Sequence, residues 1–82
     1  MNSQANTAFA ATLRKLRNER GMSQYTLAKV TDLDRTYISL LERGLRSPSL
    51  DTMLALARGL NVSLVEIATA VEATMLAGPS NA

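Results

Sequence analysis

Apolar residues recur at helical spacing in the first quarter of the chain. Phe9, Leu13 and Leu16 follow one another at steps of four and three residues, which places their side chains on one face of an α-helix. This pattern predicts an amphipathic helix that begins at residue 6 or 7 and ends near residue 20. The polar residues before it, 1–6, are predicted to form a disordered arm.

The next stretch, Ser23 to Gly44, predicts two short helices joined by a tight turn. Ser23 and Asp34 each stand where a side-chain oxygen can accept from the unpaired N–H groups of a first helical turn. Gly44 suits the left-handed conformation in which many helices end. We therefore expect helices over 24–31 and 35–43. Their apolar residues can share one small core: Leu27, Ala28, Leu33, Ile38 and Leu41.

Two more helices are predicted in the second half of the chain. Ser49 can cap a helix that runs from residue 50 to about residue 59. Ser63, with Glu66 three residues later, is a capping-box signature and predicts a last helix that ends near residue 76. No stretch shows the alternation that is typical of strands, so the predicted fold class is all-α with five helices.

Length and composition favour a small, non-enzymatic domain. The 82 residues suit one folded domain, over 7–77, with a frayed tail over 78–82. A chain of this size buries only about 60% of its unfolded surface, so association with a second copy would help its stability. The absence of Cys and His excludes zinc sites and Ser-His or Cys-His catalytic pairs. We expect no enzyme activity, no metal and no cofactor.

The N-terminus lacks the basic and apolar regions of a signal peptide, and no segment has the roughly 20 apolar residues of a membrane span. The expected location is the cytoplasm.

Charge is unevenly distributed: residues 1–46 carry a net charge of +4 and residues 47–82 a net charge of −2. A basic half suggests a polyanionic partner. The alternative is a solvated face of Arg and Lys side chains.

Several residues stand at spacings that are characteristic of one family. They are Arg17, Ser23-Gln24, Leu27-Ala28, Leu33, Ile38, Glu42-Arg43-Gly44, Pro48-Ser49 and Leu60. With this pattern the chain resembles, from about residue 13 to residue 67, the helix-turn-helix of the phage-repressor and Cro-like family. The resemblance implies a five-helix, lambda-repressor-like DNA-binding domain. The segment LDRTYISLLERG in so short a chain also resembles the controller proteins of restriction-modification systems.

In this family the second helix of the motif lies in the major groove of DNA. The resemblance therefore implies base contacts by Arg35, Thr36, Ser39 and Leu40. Arg35 is the best base reader, because its guanidinium can donate two hydrogen bonds to guanine O6 and N7. Leu40 offers apolar contact to a thymine methyl, although the family more often has a polar or small residue there. Asp32 also departs from the family, which usually has Gly in the turn.

Phosphate contacts are expected from Gln24, Tyr37, Arg43 and Arg46. Gln24 opens its helix, where backbone N–H groups and the helix dipole attract an anion. Two of these assignments have alternatives: Gln24 is also a good helix former on any wet surface, and the ring of Tyr37 could pack against the first helix of the motif.

The family pattern also implies a salt bridge between Arg17 and Glu42, against the alternative of two separate surface charges. The last helix is more apolar than one small core requires, which predicts a dimer interface. The expected interface residues are Leu64, Ile67, Val71 and Met75. The alternative is that these residues fold back over Phe9 and the first helix.

Together these features predict a sequence-specific, double-stranded DNA-binding transcriptional regulator that acts as a homodimer on a partly palindromic operator. RNA polymerase is a further candidate partner, and no membrane or small-molecule partner is expected. An antitoxin of a toxin-antitoxin pair is one alternative, although the short tail offers little to bind a toxin. A protein-interaction module that does not bind DNA is the other.

Overall fold

The computed structural model describes residues 3–78 and contains five helices in this range. They are α1 (Gln4–Glu19), α2 (Gln24–Thr31), α3 (Arg35–Glu42), α4 (Leu50–Leu60) and α5 (Leu64–Ala77). No strand occurs within the described residues. The predicted all-α, five-helix fold is confirmed.

Side-chain caps define where every helix begins. The residue before each helix has extended backbone, and its side-chain oxygen accepts a backbone N–H of the first turn. These caps are Ser3, Ser23, Asp34, Ser49 and Ser63. Glu66 completes the capping box, because its carboxylate accepts from the backbone N–H of Ser63 at 2.9 Å. Four of the five helix starts therefore follow from the sequence.

Helix α1 begins earlier than its apolar spacing predicts. Ser3 Oγ accepts from the backbone N–H of Asn6 at 2.9 Å, so the helix starts at Gln4. The expectation of a disordered arm over residues 1–6 is therefore wrong for residues 4–6. Residues 1, 2 and 79–82, which include most of the predicted tail, lie outside the described residues.

The ends of α3 and α4 also differ from prediction. Helix α3 ends at Glu42, one residue before the expected end. Helix α4 continues through Gly59 to Leu60, and Asn61 closes it in the left-handed region at φ 58°. Gly59 therefore lies inside the helix. A Cβ atom at this position would stand only 2.5 Å from Thr31 Cγ2, so the missing side chain allows α2 and α4 to approach closely.

One core lies between the helices, and α5 packs chiefly along α1. The largest fully buried side chains are Leu13, Leu27, Ile38, Leu41, Leu56 and Leu60. Ala28 and Leu33 complete the edge of this core. Within residues 3–78 no single helix is long and apolar enough to cross a membrane; α4 and α5 pass that test only as a pair, and that pair is bent by 106°.

Candidate nucleic-acid interface

Helices α2 and α3 form a helix-turn-helix whose turn is closed by an aspartate. Asp32 adopts the left-handed conformation at φ 58° and ψ 31°, and its backbone N–H donates to the carbonyl of Ala28. The N–H of Leu33 donates to the same carbonyl at 3.2 Å. Asp tolerates this conformation better than most residues other than Gly. The departure from the family's usual Gly therefore leaves the turn intact.

One side of α3 is buried and the other is open. Ile38, Leu41 and Glu42 face the core. All four of the predicted base-contacting residues lie on the opposite side: Arg35 and Thr36 are exposed, and Ser39 and Leu40 are half-buried. The structure thus brings these four residues together on one accessible helix face.

The residues after α3 extend this face with positive charge. Arg43 and Arg46 are both exposed, and neither takes part in a salt bridge within residues 3–78. Ser47 Oγ donates to Asn6 Oδ1 at 2.9 Å, which links the loop of Arg46 to the first turn of α1. The two arginines are therefore free to meet an anion beside the open face of α3.

The two other predicted phosphate contacts have partners inside the protein. The Gln24 amide nitrogen donates to Glu42 Oε1 at 3.0 Å, and its second hydrogen remains available. Tyr37 is half-buried, and its ring packs against the core. Its hydroxyl lies 3.3 Å from Thr52 Oγ1 in α4. Tyr37 thus contacts α4, whereas the alternative predicted for its ring was packing against α2.

Glu42 joins three helices through its carboxylate. Its side chain is only 3% exposed, and it accepts from Arg17 Nε at 2.6 Å and from Arg17 Nη2 at 3.0 Å. The expected Arg17–Glu42 pair is therefore present, in a two-point geometry that is stronger than a single contact. The hydrogen bond to Glu42 raises the pKa of Arg17 above its ordinary value, so the guanidinium stays charged.

Three arginines of the basic half serve the fold and do not extend into solvent as free charges. Arg14 donates to the carbonyl of Glu42, and Arg20 donates to the carbonyl of Leu60. Arg17 also donates to the carbonyl of Met22 at 2.8 Å. The carbonyls of Glu42 and Leu60 stand at helix ends and have no partner within the helix, and that of Met22 lies in the connection between α1 and α2. The sequence signal was their spacing of three residues along α1, which places them on one side of the helix.

The predicted dimer residues are not equally accessible. Ile67 is 2% exposed and belongs to the core of its own subunit, so its assignment to a dimer interface is wrong. The reason is that α5 packs along α1 and turns Ile67 inward. Leu64, Val71 and Met75 are half-buried. The alternative, in which residues of the last helix fold back over the first helix, therefore holds for part of α5.

Other apolar side chains on α4 and α5 remain open to solvent, and they are not among the four predicted interface residues. Val65 is 73% exposed, Leu50 is 58% exposed and Leu54 is 41% exposed. A groove of about 380 Å³ lies between α5 and the first turns of α1, and Met53 of α4 and the loop residues Ser47 and Pro48 complete its lining. Exposed apolar patches of this kind are typical of protein-protein contacts.

Comparison with known proteins gives the class of this protein. The sequence profile of the family described as helix-turn-helix matches residues 13–67, which are the residues from late α1 to the first turns of α5. The chain therefore belongs to the helix-turn-helix family. The resemblance drawn from its residue pattern is confirmed.

Within this family the chain is similar to control proteins. It is 40% identical over 61 residues to the control protein C.SmaI of Serratia marcescens. This match covers 74% of this chain and 73% of that protein. The crystal structure of the restriction-modification controller protein C.AhdI from Aeromonas hydrophila matches with a TM-score of 0.74 and 42% identity, over 76% of this chain and 94% of that one.

A third similar structure contains DNA. It is the tetramer of the restriction-modification controller protein C.Esp1396I in complex with its natural 35-base-pair operator. The match has a TM-score of 0.83 and 34% identity, and it covers 90% of this chain and 97% of that one.

Proposed function

We propose that this protein is a double-stranded DNA-binding transcriptional regulator that acts as a homodimer on a partly palindromic operator and controls a restriction-modification system. The observation that carries the proposal is the open face of α3, with Arg35 and Thr36 at its start and Arg43 and Arg46 at its end. The similarity to control proteins, one of them solved on its operator, supports the same function.

The geometry suits the docking mode of this motif. The first turn of α3 enters the major groove, where Arg35 reads guanine through two hydrogen bonds and Thr36 and Ser39 contact neighbouring bases. Arg43 and Arg46 then meet phosphates on either side of the helix. Gln24 contributes its second amide hydrogen and its place at the start of α2, where the helix dipole favours an anion. These backbone contacts set the register of α3 in the groove.

A second copy covers the outer surface of α4 and α5. We assign the contact to the exposed apolar side chains of these helices, Leu54 and Val65. Leu64, Val71 and Met75 contribute the parts of their side chains that the core leaves open. A two-fold contact of this kind would place two copies of α3 on half-sites about one helical turn apart.

We assign the protein no catalytic role, because the residues that point outward from α3 suit DNA recognition and the chain has neither Cys nor His. A regulator of transcription works where the chromosome lies, which places it in the cytoplasm. RNA polymerase bound next to the operator is the further partner that such a regulator would meet.

Replacement of Arg35 tests the proposal directly. The variant Arg35→Ala should bind the operator more weakly by about 1 to 3 kcal/mol, the range for a lost two-point base contact, while its binding to random DNA changes little. The measurement is fluorescence anisotropy on two duplexes: one drawn from the DNA upstream of the coding region and one of random sequence. Lys15→Ala is the matched control, because Lys15 is exposed on α1, which belongs neither to the DNA-binding surface nor to the proposed dimer contact.

Two outcomes would contradict the proposal. Equal losses on both duplexes would mean that Arg35 contacts phosphate and reads no base. Failure of the wild-type protein to bind either duplex would leave the interaction-module alternative. An antitoxin role would require a toxin that purifies with the protein in a stable complex.

A further inference from the structure

The end of α3 is a Schellman motif. The backbone N–H of Gly44 donates to the carbonyl of Leu41 at 3.1 Å, and the N–H of Leu45 donates to the carbonyl of Leu40 at 3.0 Å. Gly44 adopts the required left-handed conformation at φ 73°. This pair of bonds turns the chain back across the last turn of the helix.

The motif brings two leucines together at the end of the recognition helix. In a Schellman motif the residue that makes the outer hydrogen bond commonly packs against the residue whose carbonyl it contacts. Here those residues are Leu45 and Leu40. Leu45 remains 48% exposed and Leu40 is half-buried. Because the backbone hydrogen bond places these two residues next to each other, their exposed parts form an apolar patch on the surface, which we call the Leu40/Leu45 patch.

This patch lies within the proposed DNA-binding surface. Leu40 stands one helical turn after Thr36 on the open side of α3, and Leu45 lies between the exposed Arg43 and Arg46 in the chain. Two cations that meet phosphates would hold the patch against the floor or wall of the major groove. In that groove the C5-methyl group of a pyrimidine is the apolar feature that a base presents.

We propose that the Leu40/Leu45 patch recognises the C5-methyl group of a pyrimidine in the major groove, which makes Leu45 a specificity-determining residue in addition to those on α3. This inference rests on the proposed function. The Schellman turn supplies the second leucine, so the methyl group meets two apolar side chains. Thymine and 5-methylcytosine both carry this methyl group at the same position, and two series of duplexes distinguish them.

Removal of the methyl group from DNA tests this proposal. The probe is a duplex that the wild-type protein selects from a random pool, remade with each thymine replaced in turn by uracil. At one position in each half-site the replacement should weaken wild-type binding about fourfold, as expected for one exposed methyl group. Leu45→Ala should bind the thymine and uracil duplexes with nearly equal affinity, and Leu45→Met should keep most of the difference. A parallel series replaces each cytosine by 5-methylcytosine.

Leu76→Ala is the matched control, because Leu76 is 87% exposed at the far end of α5. Its thymine-to-uracil ratio should equal that of the wild type. Thermal unfolding of Leu45→Ala distinguishes a loss of recognition from a loss of fold.

A gain in wild-type affinity with 5-methylcytosine that Leu45→Ala lacks would also support the proposal. Equal ratios in wild type and Leu45→Ala in both series, with selected DNA still preferred over random DNA, would overturn the proposal and leave the DNA-binding function intact. Failure to select any sequence would overturn both.

Discussion

At the scale of single residues, Glu42 connects the fold to the proposed DNA-binding surface. Its buried carboxylate accepts from Arg17 in α1 and from Gln24 at the start of α2, while Glu42 itself ends α3. The same contacts that fix α3 against α1 therefore also hold the Gln24 side chain. Because Glu42 is almost completely buried, loss of a partner leaves a charge that water cannot reach.

Replacement of Arg17 measures the strength of this pair. Arg17→Leu should lower the free energy of unfolding by about 3 kcal/mol, since it leaves a buried carboxylate without its cation. The double variant Arg17→Leu with Glu42→Leu should recover part of that loss, because no unpaired charge remains. Urea unfolding of both gives the values, with Arg58→Leu as the exposed control. A loss below about 1 kcal/mol for Arg17→Leu would mean that the pair behaves as a surface salt bridge.

At the scale of helices, the contact between α2 and α4 depends on the absence of one side chain. The missing Cβ at Gly59 leaves room for the methyl groups of Thr31 and Val30. A glycine inside a helix costs about 1 kcal/mol relative to alanine, so this position gives up helix propensity for close packing.

Alanine at this position should therefore destabilise the protein, despite its higher helix propensity. We expect Gly59→Ala to cost about 1 to 2 kcal/mol, because overpacking outweighs the propensity gain. In a Thr31→Ser background the same change should be neutral or stabilising, since the clashing methyl group is absent. Serine can keep the hydrogen bond from position 31 to the carbonyl of Leu27. Thermal unfolding of the four proteins gives the coupling energy, and equal effects of Gly59→Ala in both backgrounds would contradict the packing argument.

At the scale of the whole molecule, the proposed dimer contact and the DNA-binding surface lie on different helices. DNA binding uses α2, α3 and the loop that follows, whereas the dimer contact uses α4 and α5. Changes at one surface should therefore affect the other only through the oligomeric state.

A charge in the proposed contact should separate the subunits without unfolding them. Val65→Glu replaces an exposed side chain, so the folded subunit can tolerate it, but a dimer would bury the carboxylate without a partner. Sedimentation should show a monomer, and operator affinity should fall with the loss of paired half-site binding. Ala73→Glu is the control, because Ala73 lines a groove on the side of α5 that meets α1. An unchanged dimer in Val65→Glu would exclude this face as the interface.

Salt dependence tests the charge distribution of the assembled protein. With Arg43 and Arg46 of both subunits at phosphates there are four contacts, and with Lys29 of both subunits as well there are six, which gives a slope of log K against log salt of roughly −4 to −5. Arg46→Ala should make the slope shallower by about 2, one unit for each subunit, and should weaken all DNA sequences alike. Lys15→Ala on α1 should leave the slope unchanged. A wild-type slope near zero would contradict a polyanionic partner.

The sequence by itself determined the helices, the motif and the exposed face of α3. A cap or an apolar stripe depends on residues within one or two turns, so Ser23, Asp34, Ser49 and Ser63 could be assigned without a structure. The family pattern predicted the Arg17–Glu42 pair. Its two residues are too far apart in the sequence for the spacing within one helix to predict their contact. Ser3 was a weaker sign of a helix start, because no regularly spaced large apolar residues follow it directly.

The tertiary structure alone decided how each helix is rotated about its axis and which side chains of other helices it contacts. That rotation turned Ile67 into the core and Val65 outward, directed Arg14 and Arg20 to the ends of other helices, and placed Gly59 against Thr31. It also gave Gln24 its contact with Glu42. The physical reason is that packing between helices depends on side chains far apart in sequence. The spacing within one helix fixes its apolar face only to within about a residue, and a shift of one residue exchanges a core position for a surface one.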